Sequence, residues 1–366
     1  MSRRLINLLI AVIAIMQSIV CESSPLGASL QGIASIAIAV FTDSSLNFHV
    51  QHNLMLSPEE VDSLLGAYVR QVEENLNELR NQKISRIQLK LAETFRILNK
   101  TIDERSSGNI DPYLDDFCAH QEAVRQESRV KWDLSLLLTA QDLYSAEDAK
   151  LDSMENSLTT MGVSVIGGIN WPELSCSIVE FGVNYLEPDT IHPRLANPSR
   201  GFSSSWVAAH EIAHSLGVHH DGKPFNPDCD PDLWVMSATS SVNRINSHWS
   251  NCSIDSLSYL DLDRFLQTTN DDRDEALAME LPGQVFDADF QCKTFSNKLI
   301  VSEEHVNSLI CNKTLWCNDK TKLESDNLVA IGPALEGTKC GPDGAICYKR
   351  RCEKLAGNQN ESLRQS

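Results

Sequence analysis

Residues 210–221 read His-Glu-Ile-Ala-His-Ser-Leu-Gly-Val-His-His-Asp. On a helix, His210 and His214 lie four residues apart, so both imidazoles leave the same face. Two such nitrogens can bind one zinc ion, with Glu211 placed to act on water at the metal. Gly217 can adopt the positive φ that ends a helix and reverses the chain. The reversal returns His220 as a third ligand. Three protein ligands leave a fourth position open, which marks a catalytic zinc rather than a structural one. The competing reading is three unrelated histidines on a solvated helix. A bare HExxH arises by chance, but the added helix stop and third histidine at fixed spacing are far more specific.

The extended pattern HExxHxxGxxH is similar to that of the metzincin metalloproteases. Asp221, directly after the third histidine, makes the stretch resemble the reprolysin branch: the adamalysins, ADAM and ADAMTS proteases. The resemblance implies one catalytic zinc on His210, His214 and His220, with Glu211 as general base and then general acid. It implies that Asp221 orients the loop of the third histidine and that Gly217 makes the turn before it. Met236 stands where the family has a methionine whose thioether packs under the ligands; a Met that merely fills core is the plainer reading. His219 points elsewhere in the family. His49, His52, His120, His192, His248 and His305 lack ligand spacing and read as ordinary surface or core residues.

The chain has 366 residues, enough for two or three domains, and a formal charge of −19. That charge argues against nucleic acid and disfavours an anionic membrane surface. Residues 1–21 read as a signal peptide, with Arg3 and Arg4 before an apolar stretch from Leu5 to Met16. A membrane anchor is the alternative, but the apolar run is short for a span. No other stretch is long and apolar enough to cross a bilayer. There are eleven cysteines. Removing Cys21 with the signal leaves an even number on each side of residues 260–290, which suits two disulfide-bonded domains in an oxidising compartment. Sequons at Asn99, Asn312 and Asn360 agree with secretion. Asn251 forms another, with Cys252 beside it.

Residues 22–34 read as a short lead-in. Residues 35–42 read as a buried strand. Ser57-Pro58-Glu59-Glu60 is a helix start with cap, first-turn proline and capping-box glutamate. Val61, Leu65, Tyr68, Val72, Leu76 and Leu79 then trace one face. Ile87, Leu89 and Leu91 alternate as a strand. Residues 112–126 read as a short helix carrying Cys118, and Asp133 to Thr139 as a central strand. Gly162 to Gly168 read as a further strand, which in metzincins is the sheet edge that pairs with extended substrate. The serines at 203–205 offer a cap for the zinc helix. Trp249 to Ser253 resembles the reprolysin segment leading into a last catalytic helix, with Ile254, Leu257, Leu260, Leu262 and Phe265 as its apolar residues. The expected fold is an α/β metzincin domain over 35–267, with a mixed, mostly parallel sheet and the zinc helix packed on it.

Residues 268–280 read as a charged linker. Residues 281–353 resemble the disintegrin-like, cysteine-rich module of ADAMTS proteases, a small unit that relies on disulfides. Residues 354–366 read as a polar tail. The resemblance implies the pairs Cys118–Cys176, Cys229–Cys252, Cys292–Cys317, Cys311–Cys347 and Cys340–Cys352. A further family cysteine falls at Asn170, its partner is missing too, and the module lacks two of eight. Asp133 matches one family calcium position, but Ala37 stands where a glutamate is expected, so calcium is doubtful. Only about a dozen residues separate signal and first strand, where the family carries a long pro-domain, so either the protease is made without that form of latency or the gene product has lost an exon. The compact layout looks like the secreted reprolysins of arthropod saliva and venom. The function implied is a secreted zinc endopeptidase acting on extracellular protein substrates. The alternatives are an extracellular binding protein, acting through residues 281–353 on a matrix or cell-surface partner, and a structural zinc scaffold.

Overall fold

The computed structural model describes residues 32–81, 83–97, 108–145, 160–182, 200–238, 247–267, 280–323 and 327–354. The expected signal peptide, the lead-in up to residue 31, Asn99, Asn360, His192, residues 268–279 of the linker and the tail from residue 355 lie outside these. Among the described residues no helix is long and apolar enough to cross a membrane.

Strand β1 (Gly32–Thr42) is apolar on both faces. Ile36, Ile38 and Val40 enter one cluster, while Ala39 and Phe41 enter another. This is the pattern of a parallel-sheet strand covered on both sides. β1 begins at Gly32 rather than residue 35, because Gly32 to Ala34 pair with the start of β2 (Ile84–Arg96). Between them in the chain runs α1 (Pro58–Leu76). Its first turn is closed by the expected capping box: Glu60 N donates to Ser57 Oγ, and Ser57 N donates to the Glu60 carboxylate. Val61, Leu65, Tyr68, Val72 and Leu76 are buried on one face, as their spacing predicts.

Helix α2 (Ile110–Glu127) covers the opposite face with Tyr113 and Phe117. Its Cys118 is bonded to Cys176. Strand β3 (Leu134–Thr139) is wholly buried. The Asp133 carboxylate accepts from the Ala37 amide at 2.8 Å and ties β3 to β1. The sheet has six strands in the order β2-β1-β3-β5-β4, with β6 also on β1. β5 (Cys176–Glu180) runs parallel to β3, and β4 (Gly162–Ser164) is the antiparallel edge. The architecture is therefore the mixed, mostly parallel sheet expected.

Three local expectations are corrected. The strand expected over 162–168 stops at Ser164, because Gly167 takes a φ of 70° and a 3-10 turn, Gly168–Asn170, follows. No serine caps α3 (Ser205–Leu216): a 3-10 turn, Gly201–Ser204, runs straight into it, and Ser204 Oγ instead meets the Tyr68 hydroxyl at 2.9 Å. The last helix of the region, α4 (Asn251–Ser256), is shorter than its apolar residues suggest. After it the chain tightens into i→i−3 bonds, Ser258 N to Asp255 O and Tyr259 N to Ser256 O, both 3.0 Å. Leu257, Leu262 and Phe265 are still buried, but from turns. β6 (Leu266–Gln267), not foreseen, closes the region by pairing antiparallel with Ile33 and Ala34.

The C-terminal region contains α5 (Ala288–Phe295), a three-stranded sheet of β7 (Leu299–Val301), β8 (Trp316–Asp319) and β9 (Leu328–Ala330), and a hairpin of β10 (Ile346–Tyr348) and β11 (Arg351–Glu353). Three disulfides, Cys292–Cys317, Cys311–Cys347 and Cys340–Cys352, run through its small core. With Cys118–Cys176 and Cys229–Cys252, the five pairs are those that the resemblance implies. Phe286 and Leu335 pack into the main cluster of the first region, so the two regions share apolar contact.

Candidate active site

Helix α3 is buried along nearly its whole length, through Ala208, Ala209, Ile212, Ala213 and Leu216. The core therefore holds it as a rigid base for His210, Glu211 and His214. Gly217 ends the helix with a φ of 109°, and Val218 N bonds back to Ala213 O at 2.9 Å. A side chain at Gly217 would be strained by that φ and would meet Leu260 Cδ2 at 2.8 Å. The reversed chain brings His220 onto the two helix histidines. Its Nε2 lies 3.2 Å from His210 Nε2 and 2.9 Å from His214 Nε2.

Backbone carbonyls fix the tautomers of the two helix imidazoles. His210 Nδ1 is 2.6 Å from Val235 O, and His214 Nδ1 is 2.7 Å from Val218 O. A carbonyl only accepts, so both Nδ1 atoms carry the proton and both Nε2 atoms present lone pairs. Burial pushes His210 down to about 4, with the charge of His220 adding to it and the Val235 carbonyl opposing. Burial is also the first cause that lowers His214 and His220. Neutral imidazoles with converging lone pairs are the donor set that a borderline-soft divalent cation requires. Among the described residues no fourth His, Cys, Asp or Glu joins this group.

Glu211 is buried, and burial raises its carboxyl to about 8. It lies against β4: a Cβ added at Gly162 would come within 2.8 Å of Glu211 Cγ and Oε1. Gly162 thus keeps the space for this carboxylate, a role visible only once the edge strand is placed beside α3. Gly167 N donates to His214 O at 2.9 Å and ties the turn after β4 to the helix end.

Asp221 is buried behind His220. Its amide donates to Met236 O at 2.8 Å and its Oδ1 accepts from Ser250 Oγ at 2.6 Å. Met236 is fully buried. Asn226 donates to the carbonyls of His219 and His220 at 3.2 and 3.0 Å. His219 turns away and stacks on Phe225, ring centroids 4.0 Å apart. Val218, Val235, Asn226, Ser250 and Gly162 were not singled out from the sequence for these roles. The first two act through backbone carbonyls, for which any residue would serve. Asn312 is exposed.

A reprolysin-like profile of metallopeptidase family M12B matches residues 66–221, and the ADAMTS cysteine-rich domain 2 profile matches residues 282–353. The chain is therefore an ADAMTS-like metzincin, with a reprolysin-type catalytic region followed by a disulfide-rich region. It is 29% identical over 261 residues to a disintegrin and metalloproteinase with thrombospondin motifs 7 of Mus musculus, covering 68% of this chain and 14% of that protein. It is 30% identical over 255 residues to the motifs 18 protein of Homo sapiens, covering 67% of this chain and 18% of that protein. The chain thus spans less than a fifth of the length of these relatives.

Proposed function

We propose that the protein is a secreted zinc endopeptidase that hydrolyses peptide bonds of extracellular proteins. The observation that carries this reading is the convergence of three neutral imidazole Nε2 atoms beside a buried carboxyl, on a helix ended by Gly217. His210, His214 and His220 would hold the zinc. Bound there, the metal supplies Lewis acidity and brings the pKa of water toward roughly 7.

Glu211 takes the proton of the attacking water and delivers it to the leaving amine. Its burial keeps bulk water from competing for that proton. With a dication held by the three imidazoles, Glu211 would be eased back toward its carboxylate form, so the same residue can act as base and then as acid. Asp221 holds the His220 loop through Ser250, and Met236 fills the floor of the site. The outer edge of β4 offers its backbone to an extended peptide, and Gly162 lets that strand lie close to Glu211.

Five disulfides suit an oxidising, extracellular compartment. Residues 281–353 are the candidate surface for a matrix or cell-surface partner. To test the function, the protein and its Glu211→Ala variant would be incubated with a proteome-derived peptide library and cut sites read by mass spectrometry. Cuts that vanish in the variant are the expected result. Identical products from both, with zinc bound in both, would refute the reading and favour a binding protein.

A further inference from the structure

The tip of the β10–β11 hairpin is Lys349-Arg350, with φ of 48° and 61°. Two left-handed residues in a two-residue turn are ordinarily Asn-Gly or similar. Here both carry long side chains, and the backbone is held by Arg350 N donating to Glu336 Oε1 at 2.8 Å. The disulfides Cys311–Cys347 and Cys340–Cys352 anchor the two arms. The hairpin is thus a braced finger, and it points Arg350 into the first region. There the guanidinium lies over the ring of Trp206, in the first turn of α3, with 5.4 Å to the centroid. It also donates to Glu78 Oε1 at 3.2 Å, to Ser247 Oγ at 2.8 Å, to the Ser247 carbonyl and to His248 Nδ1 at 2.9 Å.

Ser247 and His248 begin a strap that backs the metal site. His248 O accepts from Val235 N at 2.9 Å, and Val235 O accepts from His210 Nδ1 at 2.6 Å. Trp249 anchors the strap by donating from its indole to Asn75 O at 2.8 Å. Ser250 Oγ donates to Asp221, the neighbour of His220, at 2.6 Å. Residues 247–250 therefore stand behind two of the three imidazoles, and the strap's first residue is held by a side chain from the C-terminal region.

We propose that Arg350 is a positioning residue for the metal centre: by clamping Ser247 and His248 it sets the Val235 carbonyl and hence the orientation of His210. This rests on the metallopeptidase reading above. It gives residues 281–353 a part in the site itself, separate from any recognition of substrate. Groups that orient ligands from behind tune metal affinity as well as geometry.

The test compares the full chain, Arg350→Ala, Ser247→Ala and the control Arg351→Ala, whose arginine is exposed on β11. Each is loaded with zinc and challenged with a chelator, and each is loaded with cobalt for its visible spectrum. Thiol counting and thermal melting establish that every variant is folded with its disulfides closed. Arg350→Ala should release zinc about tenfold faster and shift the cobalt bands, by the usual effect of removing an outer partner. Ser247→Ala should move both readouts less, in the same direction, and it covers the case in which Arg350→Ala does not fold. Arg351→Ala should match the parent. Parent-like release and spectra in both Arg350→Ala and Ser247→Ala would overturn the proposal and leave Arg350 as domain glue. A parent protein that holds no zinc would instead bring down the functional reading, and this proposal with it.

Discussion

Between β1 and β6 the chain buries two apolar clusters on the two faces of a six-stranded sheet and closes two disulfides, whereas residues 281–353 bury one small cluster and close three. In the second region Cys292, Cys311, Cys317, Cys340 and Cys347 are themselves core residues. In the first, the three-histidine cluster hangs on α3, whose apolar sides are gripped by the large core, and on carbonyls of turns packed against it. A small region cannot bury enough apolar surface to fix its shape, and sulfur cross-links replace that term. The converging histidines sit on the region with the larger core, while the cross-linked region presents a braced hairpin to it.

The largest expected effect breaks the chemistry of the first region without touching its frame. Glu211→Gln should lower peptide cleavage by about 10²–10⁴-fold, the usual share of general acid–base catalysis. Zinc content and melting temperature should stay near those of the parent; a variant that cleaves normally would remove Glu211 from the mechanism.

Replacing both Cys340 and Cys352 by Ser opens a link across 12 residues of sequence and should destabilise residues 281–353 by about 3 kcal/mol. Hydrogen exchange should show lost protection there while β1, β3 and α3 keep theirs. Equal loss in both regions would mean that the two unfold as one unit.

Gly162→Ala places a methyl group on the Glu211 carboxyl and should cut kcat by about tenfold, since small displacements of a catalytic group are costly. Melting should change little, and a parent-like kcat would show that Glu211 has room to spare.

The smallest effect is a pH dependence at the junction. Burial raises Glu336 from 4.5 to about 7, the charge of Glu74 adds to this, and the backbone amides of Arg350 and Lys349 oppose it. The folded state therefore holds this proton more tightly than the unfolded chain. Its contribution is fully favourable below 4.5 and is lost as pH rises toward about 7. Glu336→Gln should melt with a flatter pH dependence than the parent across that window. Parallel curves would show that Glu336 ionises without cost in the folded protein.

Much of this was legible in the sequence because side-chain letters carried it. The spacing of His210, His214 and His220, the stop at Gly217 and the capping box at Ser57 and Glu60 each name their own geometry. The failures share a cause. β4 ends at Ser164 because the turn at Gly167 outweighs an apolar run that reads as strand. α4 ends at Ser256 although Leu257, Leu260 and Leu262 follow, because burial from successive turns leaves the same apolar spacing. The carbonyls of Val218 and Val235 leave no trace in residue type. His248 reads as an ordinary histidine, and its contribution is a backbone carbonyl beside a residue 102 positions away in the chain.

A catalytic zinc here would be held by three imidazoles, with one position left for water. X-ray absorption at the zinc edge of the metal-loaded full chain tests it most directly. The expected result is three imidazole nitrogens and one further light atom, all at roughly 2.0–2.1 Å. A sulfur shell at about 2.3 Å, or four imidazoles, would contradict it.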